Sequence, residues 1–380
     1  MDVQVPSNDP GRPAPGGEAI AISYVERPGL LRIAIVNAIL SVLTLTIYRF
    51  WARTRVRRHI WSCVRINGEP LEYTGTGMEL FLGALIVFFV IGLPVVLVNI
   101  AIHLLLGPEH WLALALPGFL TLFFLLLYGM AIYRARRYRL SRTLWRGIRG
   151  TLVGSSWSYT IRHFGALLLK IVTLGWATPA MNLMLESRIT NEMQFGNQSF
   201  RFSGSAAPLY RKFALCWFLT VLVIVPLVGV AAWLALADNV QDLLGGIWDP
   251  NAPPSEEAIF GIVFGIFGVL ILYALLSAVL WASYMVREMN VFASYTRYGD
   301  AGFSLAATTP SLIWLWISNL LLVILTLGIA QPYAVQRMFR YFCRRLTVTG
   351  TVDVAAIRQS QAALDKRGEG LVDAFDIDAF

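Results

Sequence analysis

The chain has 380 residues, of which 57% are apolar and only 14% charged, with a mean hydropathy of +0.62. Soluble domains carry roughly 25% charged residues, so this composition excludes a soluble globular enzyme, a disordered chain and a disulfide scaffold, and leaves a polytopic helical membrane protein. The net charge of +8 fits nucleic acid or a membrane surface, and its placement separates the two.

Residues 1–18 are rich in Pro and Gly (Pro6, Pro10, Gly11, Pro13, Pro15, Gly16, Gly17) and read as a flexible tail. No basic segment precedes an apolar core there, so a cleaved signal peptide is not expected. Seven apolar runs follow, at 30–48, 79–105, 111–133, 163–183, 211–237, 258–284 and 311–333, each near the ~20 residues that cross a bilayer. Pro94, Pro117 and Pro226 interrupt long runs and predict kinks. The last 28 residues, 353–380, turn polar and acidic, with Asp373, Asp376 and Asp378; they read as a solvated end or a docking peptide.

Of the 31 basic residues 28 are Arg, and they cluster. Residues 49–66 hold Arg49, Arg53, Arg55, Arg57, Arg58 and Arg65; residues 134–162 hold eight more, among them Arg136 and Arg137; a third group is Arg337, Arg340, Arg344 and Arg345. Neither of the first two contains an acid, and each group directly follows an apolar run, as cytoplasmic flanks do. The link 238–257 has Asp238, Asp242, Asp249, Glu256 and Glu257 and no base, the opposite sidedness. The expected location is the bacterial inner membrane, multi-pass, with basic loops and the C-terminus cytoplasmic. The expected partners are the lipid bilayer and its anionic headgroups, which basic flanks attract at roughly 1 kcal/mol per charge. Arg53, Arg57, Arg58, Arg136, Arg137, Arg337 and Arg340 are the candidate headgroup contacts, a homo-oligomer fits as well, and no nucleic-acid partner is expected.

Self-comparison exposes an internal repeat. Asn37 to Trp51 reads NAILSVLTLTIYRFW, Leu167 to Ala180 reads LLLKIVTLGWATPA, and Asn319 to Tyr333 reads NLLLVILTLGIAQPY. A strand-like signature follows each copy, at Leu71–Gly75, Phe200–Gly204 and Leu346–Gly350. Asn67-Gly68, Gly196-Asn197 and Gly299-Asp300 are good hairpin pairs. The predicted organisation is a tail 1–18, repeats 19–148 and 149–302, a half repeat 303–352, and a tail 353–380. If all seven runs cross, successive turn-strand units fall on opposite sides. If the Thr-Leu segments bend back at their Gly/Pro break, every unit is cytoplasmic. The re-entrant alternative is favoured because Lys170, in the middle of the second copy, is costly at the bilayer centre. The fold class expected is an all-α polytopic membrane protein with internal repeats and short β-hairpin or strand elements at the cytoplasmic face.

At these residues the chain resembles a known group. Asn37 with Leu43-Thr44-Leu45-Thr46-Ile47-Tyr48-Arg49-Phe50-Trp51-Ala52-Arg53, followed by Arg57-Arg58, Asn67-Gly68 and Leu71-Glu72-Tyr73, is similar to the YjgN-like family of bacterial inner-membrane proteins. Thr326-Leu327-Gly328 with Pro332-Tyr333 fits the same family, and the resemblance covers roughly residues 20–352. Thr46 stands where Gly is usual and Phe50 where Pro is usual. The resemblance implies a multi-pass inner-membrane protein and no particular activity.

Chemistry is sparse. Cys63, Cys216 and Cys343 are far apart, so neither a zinc site nor a disulfide framework is indicated. His59, His103, His110 and His163 form no HExxH, and there is no phosphate loop, GxSxG elbow or dinucleotide fingerprint. No catalytic residue, metal or cofactor is expected, and the chain does not read as an enzyme. Pro94 and Pro226 fall at corresponding places in the two repeats, with Asn99 beyond the first, and matched breaks point to a transport site. Lys170 either binds an anionic solute or headgroup, or snorkels to the near interface. The leading functional reading is transport or channelling of a small solute, anions included, along Lys170, Asn37, Asn319, Pro94, Pro226 and Asn99. The alternative is a non-transporting envelope scaffold or lipid-organising protein that holds anionic headgroups through its Arg clusters.

Overall fold

The computed structural model describes residues 17–107, 109–236 and 256–359. The Pro- and Gly-rich start, most of the acidic link and Asp373, Asp376 and Asp378 lie outside the described residues. The chain divides into two compact units, one of Met1–Ser205, Phe292–Ala306 and Leu315–Phe380, the other of Ala206–Val291 and Ala307–Trp314.

The first unit is organised by β-strands that bracket helices. After β1 (Glu18–Ala19) and β2 (Ile22–Tyr24) come helices α1 (Leu30–Leu43) and α2 (Arg49–Cys63), then β3 (Val64–Ile66), β4 (Glu69–Pro70) and β5 (Glu72–Tyr73). Helix α3 (Gly77–Val87), a π-helical turn (Phe88–Gly92) and α4 (Leu93–Leu106) run out, and α5 (Trp111–Arg142) runs back into β6 (Thr143–Trp145) and β7 (Ile148–Leu152). Helices α6 (Ser156–Val172) and α7 (Thr178–Glu192) lead to β8 (Met193–Phe195) and β9 (Gln198–Phe202). Strands β10 (Thr296–Tyr298) and β11 (Ala301–Leu305), helices α10 (Thr309–Leu325, whose residues up to Trp314 belong to the second unit) and α11 (Gln331–Arg345), and β12 (Leu346–Thr349) with β13 (Thr351–Val352) complete the order. In the second unit α8 (Ala207–Leu236) and α9 (Glu256–Tyr295) are the long helices.

Strands β5 to β12 form one eight-stranded sheet in sequence order, every pair antiparallel. Alternate connections are two-residue turns, at Arg146-Gly147, Gly196-Asn197 and Gly299-Asp300, as at Asn67-Gly68 in the smaller β2-β3-β4 sheet. Asn67 and Arg146 have φ of 49° and 52°, and Gly68 and Gly147 of 83° and 73°, the double positive φ of a type I′ turn. The remaining connections are helical, and each joins residues paired across the sheet: Tyr24 to Val64, Tyr73 to Thr143, Leu152 to Met193, Phe202 to Thr296 and Leu305 to Leu346. Antiparallel order puts all tight turns at one end of the strands and all helical excursions at the other. The chain is mostly helical, and strands β5 to β12 join into a continuous sheet because each hairpin leaves a free edge that the next one pairs.

Three of the excursions are short helical hairpins with one turn chemistry. Thr44, Thr173 and Thr326 each donate Oγ1–H to the carbonyl four residues back at 2.7 Å. Each Oγ1 also accepts the amide four residues ahead, at 2.9 Å from Tyr48 and 3.1 Å from Ala177 and Ala330. The next two residues are left-handed: Leu174 and Gly175 at 49° and 88°, Leu327 and Gly328 at 49° and 87°, Leu45 and Thr46 at 47° and 69°. The second of these closes the helix with a bond to the carbonyl five back, 2.6 Å for Gly175 to Lys170 and 2.8 Å for Gly328 to Val323, which satisfies a carbonyl that the ending helix would orphan. Pro179 and Pro332 then sit in the first turn of α7 and α11, where a missing N–H costs nothing.

The sheet core gathers Tyr298, Ala301, Val352 and Ile357, with Ile20, Ile148 and Phe195 packed against them. Residues 353–359 therefore do not leave the sheet. The Arg358 amide donates to Asn197 Oδ1 at 3.0 Å, and Gln359 Oε1 accepts from the Arg149 amide at 3.0 Å, so the first part of the acidic tail lies across the tight turns. In the second unit, Phe213 packs edge-on to Trp281 and Tyr284 at 5.7 and 5.3 Å, and Trp281 Nε1 donates to Thr220 Oγ1 at 3.2 Å.

A basic groove on the first hairpin

The sheet-proximal half of the first hairpin carries an open groove of about 590 Å³, lined by Arg27, Arg32, Ile33, Val36, Arg55, Arg58, His59 and Ser62. Its far wall follows from helical spacing. Arg55, Arg58, His59 and Ser62 sit at i, i+3, i+4 and i+7 of α2, so one helix face presents them together. Ile60 and Cys63 of α2 are completely buried, which fixes the helix's rotation. Arg32, Ile33 and Val36 come from the first two turns of α1, and Arg27 from the segment after β2.

The electrostatics of the groove are one-sided. Four guanidinium groups line it with no carboxylate among the lining residues. Arg58 Nη2 donates to the Gly75 carbonyl at 3.2 Å, and the Arg55 guanidinium lies 5.4 Å from the Tyr48 ring centre. Burial holds His59 below the usual imidazole range, and the Arg27 charge adds to this. A second concavity of about 230 Å³ adjoins it, lined by Trp51, Thr54, Arg55, Arg58, Thr76, Gly77 and Met78. Chemically, such a site can hold an anion against guanidinium donors.

The candidate headgroup arginines have varied surroundings. Arg57 Nη1 donates to Tyr73 Oη at 3.3 Å, and Arg53 is half-buried on α2. Arg136 forms a two-point ion pair with Glu186 at 3.3 and 3.1 Å. Arg137 donates to the Leu152 carbonyl at 3.1 Å and to that of Gly154. Arg337 donates to Ser318 Oγ at 2.7 Å, and Arg340 pairs with Glu26. Only Arg58 of this set lines the groove; Arg27, Arg32 and Arg55 complete it.

The candidate pathway residues are held locally. Asn37 Nδ2 donates to the Ala52 carbonyl at 3.4 Å and Asn319 Nδ2 to that of Ala334 at 3.3 Å, each tying together the two helices of its own hairpin. Both Oδ1 atoms are buried without a hydrogen-bond partner. Lys170 Nζ donates to Asn182 Oδ1 at 2.7 Å, between α6 and α7. Pro94 follows the π-helical turn, where its missing N–H loosens the helical ladder. The Asn99 carbonyl lies 2.9 Å from His103 Nδ1, and Pro226 is an exposed residue inside α8 in the second unit. None of these six lines either concavity beside α2.

A family described as "Bacterial protein of unknown function (DUF898)" matches residues 26–374. The chain belongs to the DUF898 family. A segment of 58 residues is 40% identical to the inner membrane protein YjgN of Salmonella typhimurium, covering 15% of each chain. A segment of 57 residues is 33% identical to the protein of the same name in Escherichia coli O157:H7, covering 15% of this chain and 14% of that one. The matched segments thus span about one seventh of these relatives. No solved structure matches. DUF898 membership carries the YjgN-like resemblance of the Thr-Leu motifs to nearly the whole chain. Among the described residues, two helical stretches, Gly77–Leu106 of 30 residues and Trp111–Arg142 of 32, are long and apolar enough to cross a membrane.

Proposed function

We propose that this DUF898 protein is a multi-pass inner-membrane protein that organises lipid from its cytoplasmic face and does not transport solute. The observation that carries the reading is the return of every helical excursion to a strand paired with the one it left. With the sheet in the cytoplasm, each excursion then begins and ends on that side. Helices α1, α6 and α10 have 14, 17 and 17 residues, about 21–26 Å at 1.5 Å per residue, against a hydrocarbon core of about 30 Å. Their hairpins enter one leaflet and turn back. The turns support this, since Leu45, Leu174 and Leu327 are 85%, 80% and 92% exposed at the three tips, where an apolar surrounding would cover them. The long α3–α4 and α5 arms reach about 45 Å and cross, and α8 with α9 forms the corresponding pair of the second repeat.

Three apolar wedges in one leaflet, with arginines at the cytoplasmic ends of the helices, suit ordering of anionic lipid. Cysteine labelling tests it. Asn197→Cys and Asp300→Cys, in two different tight turns, are expected to react only from the cytoplasm, and periplasmic labelling of either would overturn the topology. Transport of a small anionic solute is the second reading, supported by the π-helical turn before Pro94 and by the unpartnered Asn37 and Asn319 oxygens. A changed solute flux in vesicles carrying Lys170→Ala would favour it.

A further inference from the structure

We propose that the groove between α1 and α2 is a binding site for the phosphate of an anionic phospholipid, with Arg27, Arg32, Arg55 and Arg58 as its donors. This deepens the lipid-organising reading and rests on it for the source of the phosphate.

The selection of this groove comes from a contrast in pairing. Among the described residues, five arginines of α5, α7, α11 and the β6–β7 turn have carboxylate partners: Arg136 with Glu186, Arg142 with Glu79, Arg146 with Glu69, Arg188 with Glu192 and Arg340 with Glu26. The four groove arginines form no ion pair with a carboxylate among the described residues, and they share one concavity. Arginine stays protonated at any physiological pH, so these like charges converge on one concavity without internal neutralisation. A phosphoester matches what they offer, because guanidinium groups bind its oxygens through paired N–H donors. His59 and Ser62 on the same face add two polar groups of shorter reach.

The apolar part of the lining decides between a lipid and a free phosphate. Ile33 and Val36 lie beside the arginines, and the same helix continues outward with exposed Ile35, Ile39, Val42 and Leu43. A ligand with a charged head at the arginines and acyl chains along α1 is in contact throughout its length. A soluble phosphate would fill only the basic end.

The test uses the full chain in nanodiscs of phosphatidylcholine containing 5 mol% phosphatidylglycerol (about one lipid in twenty), with lipid retained after detergent transfer counted by native mass spectrometry. The wild-type protein is expected to retain phosphatidylglycerol. Each guanidinium removed weakens this about fivefold, so Arg32→Gln/Arg55→Gln loses about 25-fold, and Arg27→Gln, outside the helices, about fivefold. Arg297→Gln on the sheet is the control that keeps retention. Undiminished retention in both groove variants overturns the proposal. So does saturable binding of glycerol phosphate at the groove without enrichment of phosphatidylglycerol, which would assign the site to a soluble phosphoester. Cysteine labelling at Asn197 in the same variants separates a failed groove from a failed topology, since the groove substitutions leave sidedness unchanged.

Discussion

Lys170 Nζ and Asn182 Oδ1 meet at 2.7 Å across the second hairpin, three residues before the Thr173 turn. The ammonium that is costly in an apolar run thus has a neutral acceptor beside it, on the helix returning from the same tip. The pair is half-buried, so removing one partner leaves the other's desolvation partly uncompensated, whereas replacing both is nearly neutral. Asn182→Leu is therefore expected to destabilise the protein by about 1–3 kcal/mol, and Lys170→Leu/Asn182→Leu to recover most of that loss. Thermal unfolding in detergent of the wild type, Lys170→Leu, Asn182→Leu and the double variant measures the coupling. Additive losses would show that the pair does not act as a unit.

The first hairpin carries a strained residue where the other two carry glycine. Thr46 has φ of 69°, with Gly175 and Gly328 at 88° and 87° in the matching places. A left-handed backbone costs a β-branched residue roughly 1–2 kcal/mol, partly offset by the greater chain entropy glycine loses on folding. Thr46→Gly should therefore raise the unfolding temperature, with a net gain of about 0.5–1 kcal/mol. Gly175→Thr should lower it by a comparable or larger amount. An unchanged or lower midpoint for Thr46→Gly would show that the bilayer or the Thr46 side chain compensates the strain.

Arg201 and Arg297 lie directly opposite one another on β9 and β10, both exposed. Like charges directly opposite in a sheet repel, and an opposite-charge pair contributes roughly 0.2–1 kcal/mol. Arg297→Glu is expected to stabilise the sheet by that order, more at low salt than at high. Salt-independent stability in this variant would show that the two side chains do not sense each other.

Tyr298 gives an alkaline signature. Its ring is buried beside Phe195 and Phe200, its hydroxyl donates to the Phe195 carbonyl at 3.0 Å, and burial raises the phenol to about 12. Because the folded value lies above the ordinary value of about 10, the contribution is fully present below pH 10 and is lost as the pH rises to about 12. The unfolding midpoint should fall through that window. Tyr298→Phe, lacking the titrating group, should lose stability at neutral pH through the missing hydrogen bond and show a shallower alkaline fall.

Much of the local structure is legible in the residues. The Thr-Leu-Gly segments read as breaks because only a hydroxyl cap and a left-handed pair end a helix so abruptly, and Asn67-Gly68, Gly196-Asn197 and Gly299-Asp300 read as hairpins. Arg146-Gly147 has the same chemistry, flanked by Thr143-Leu144-Trp145 and Ile148, but is overlooked inside a basic stretch that reads as an interfacial flank. The groove was half visible. Arg55, Arg58, His59 and Ser62 share a helix face by spacing alone, whereas Arg27 and Arg32 join them only when α1 folds back on α2.

Composition and pattern by themselves determined that this chain belongs with a membrane, that basic residues follow its apolar runs, and where its short hairpins turn. Those properties depend on single residues and their nearest neighbours in sequence. Tertiary structure alone decided that β5 to β12 form one sheet and which arginines are neutralised by carboxylates. Both depend on pairings between residues far apart in the chain: Tyr73 with Thr143 by backbone hydrogen bonds, and Arg136 with Glu186 by charge. A sequence lists donors and charges, and folding determines which of them meet.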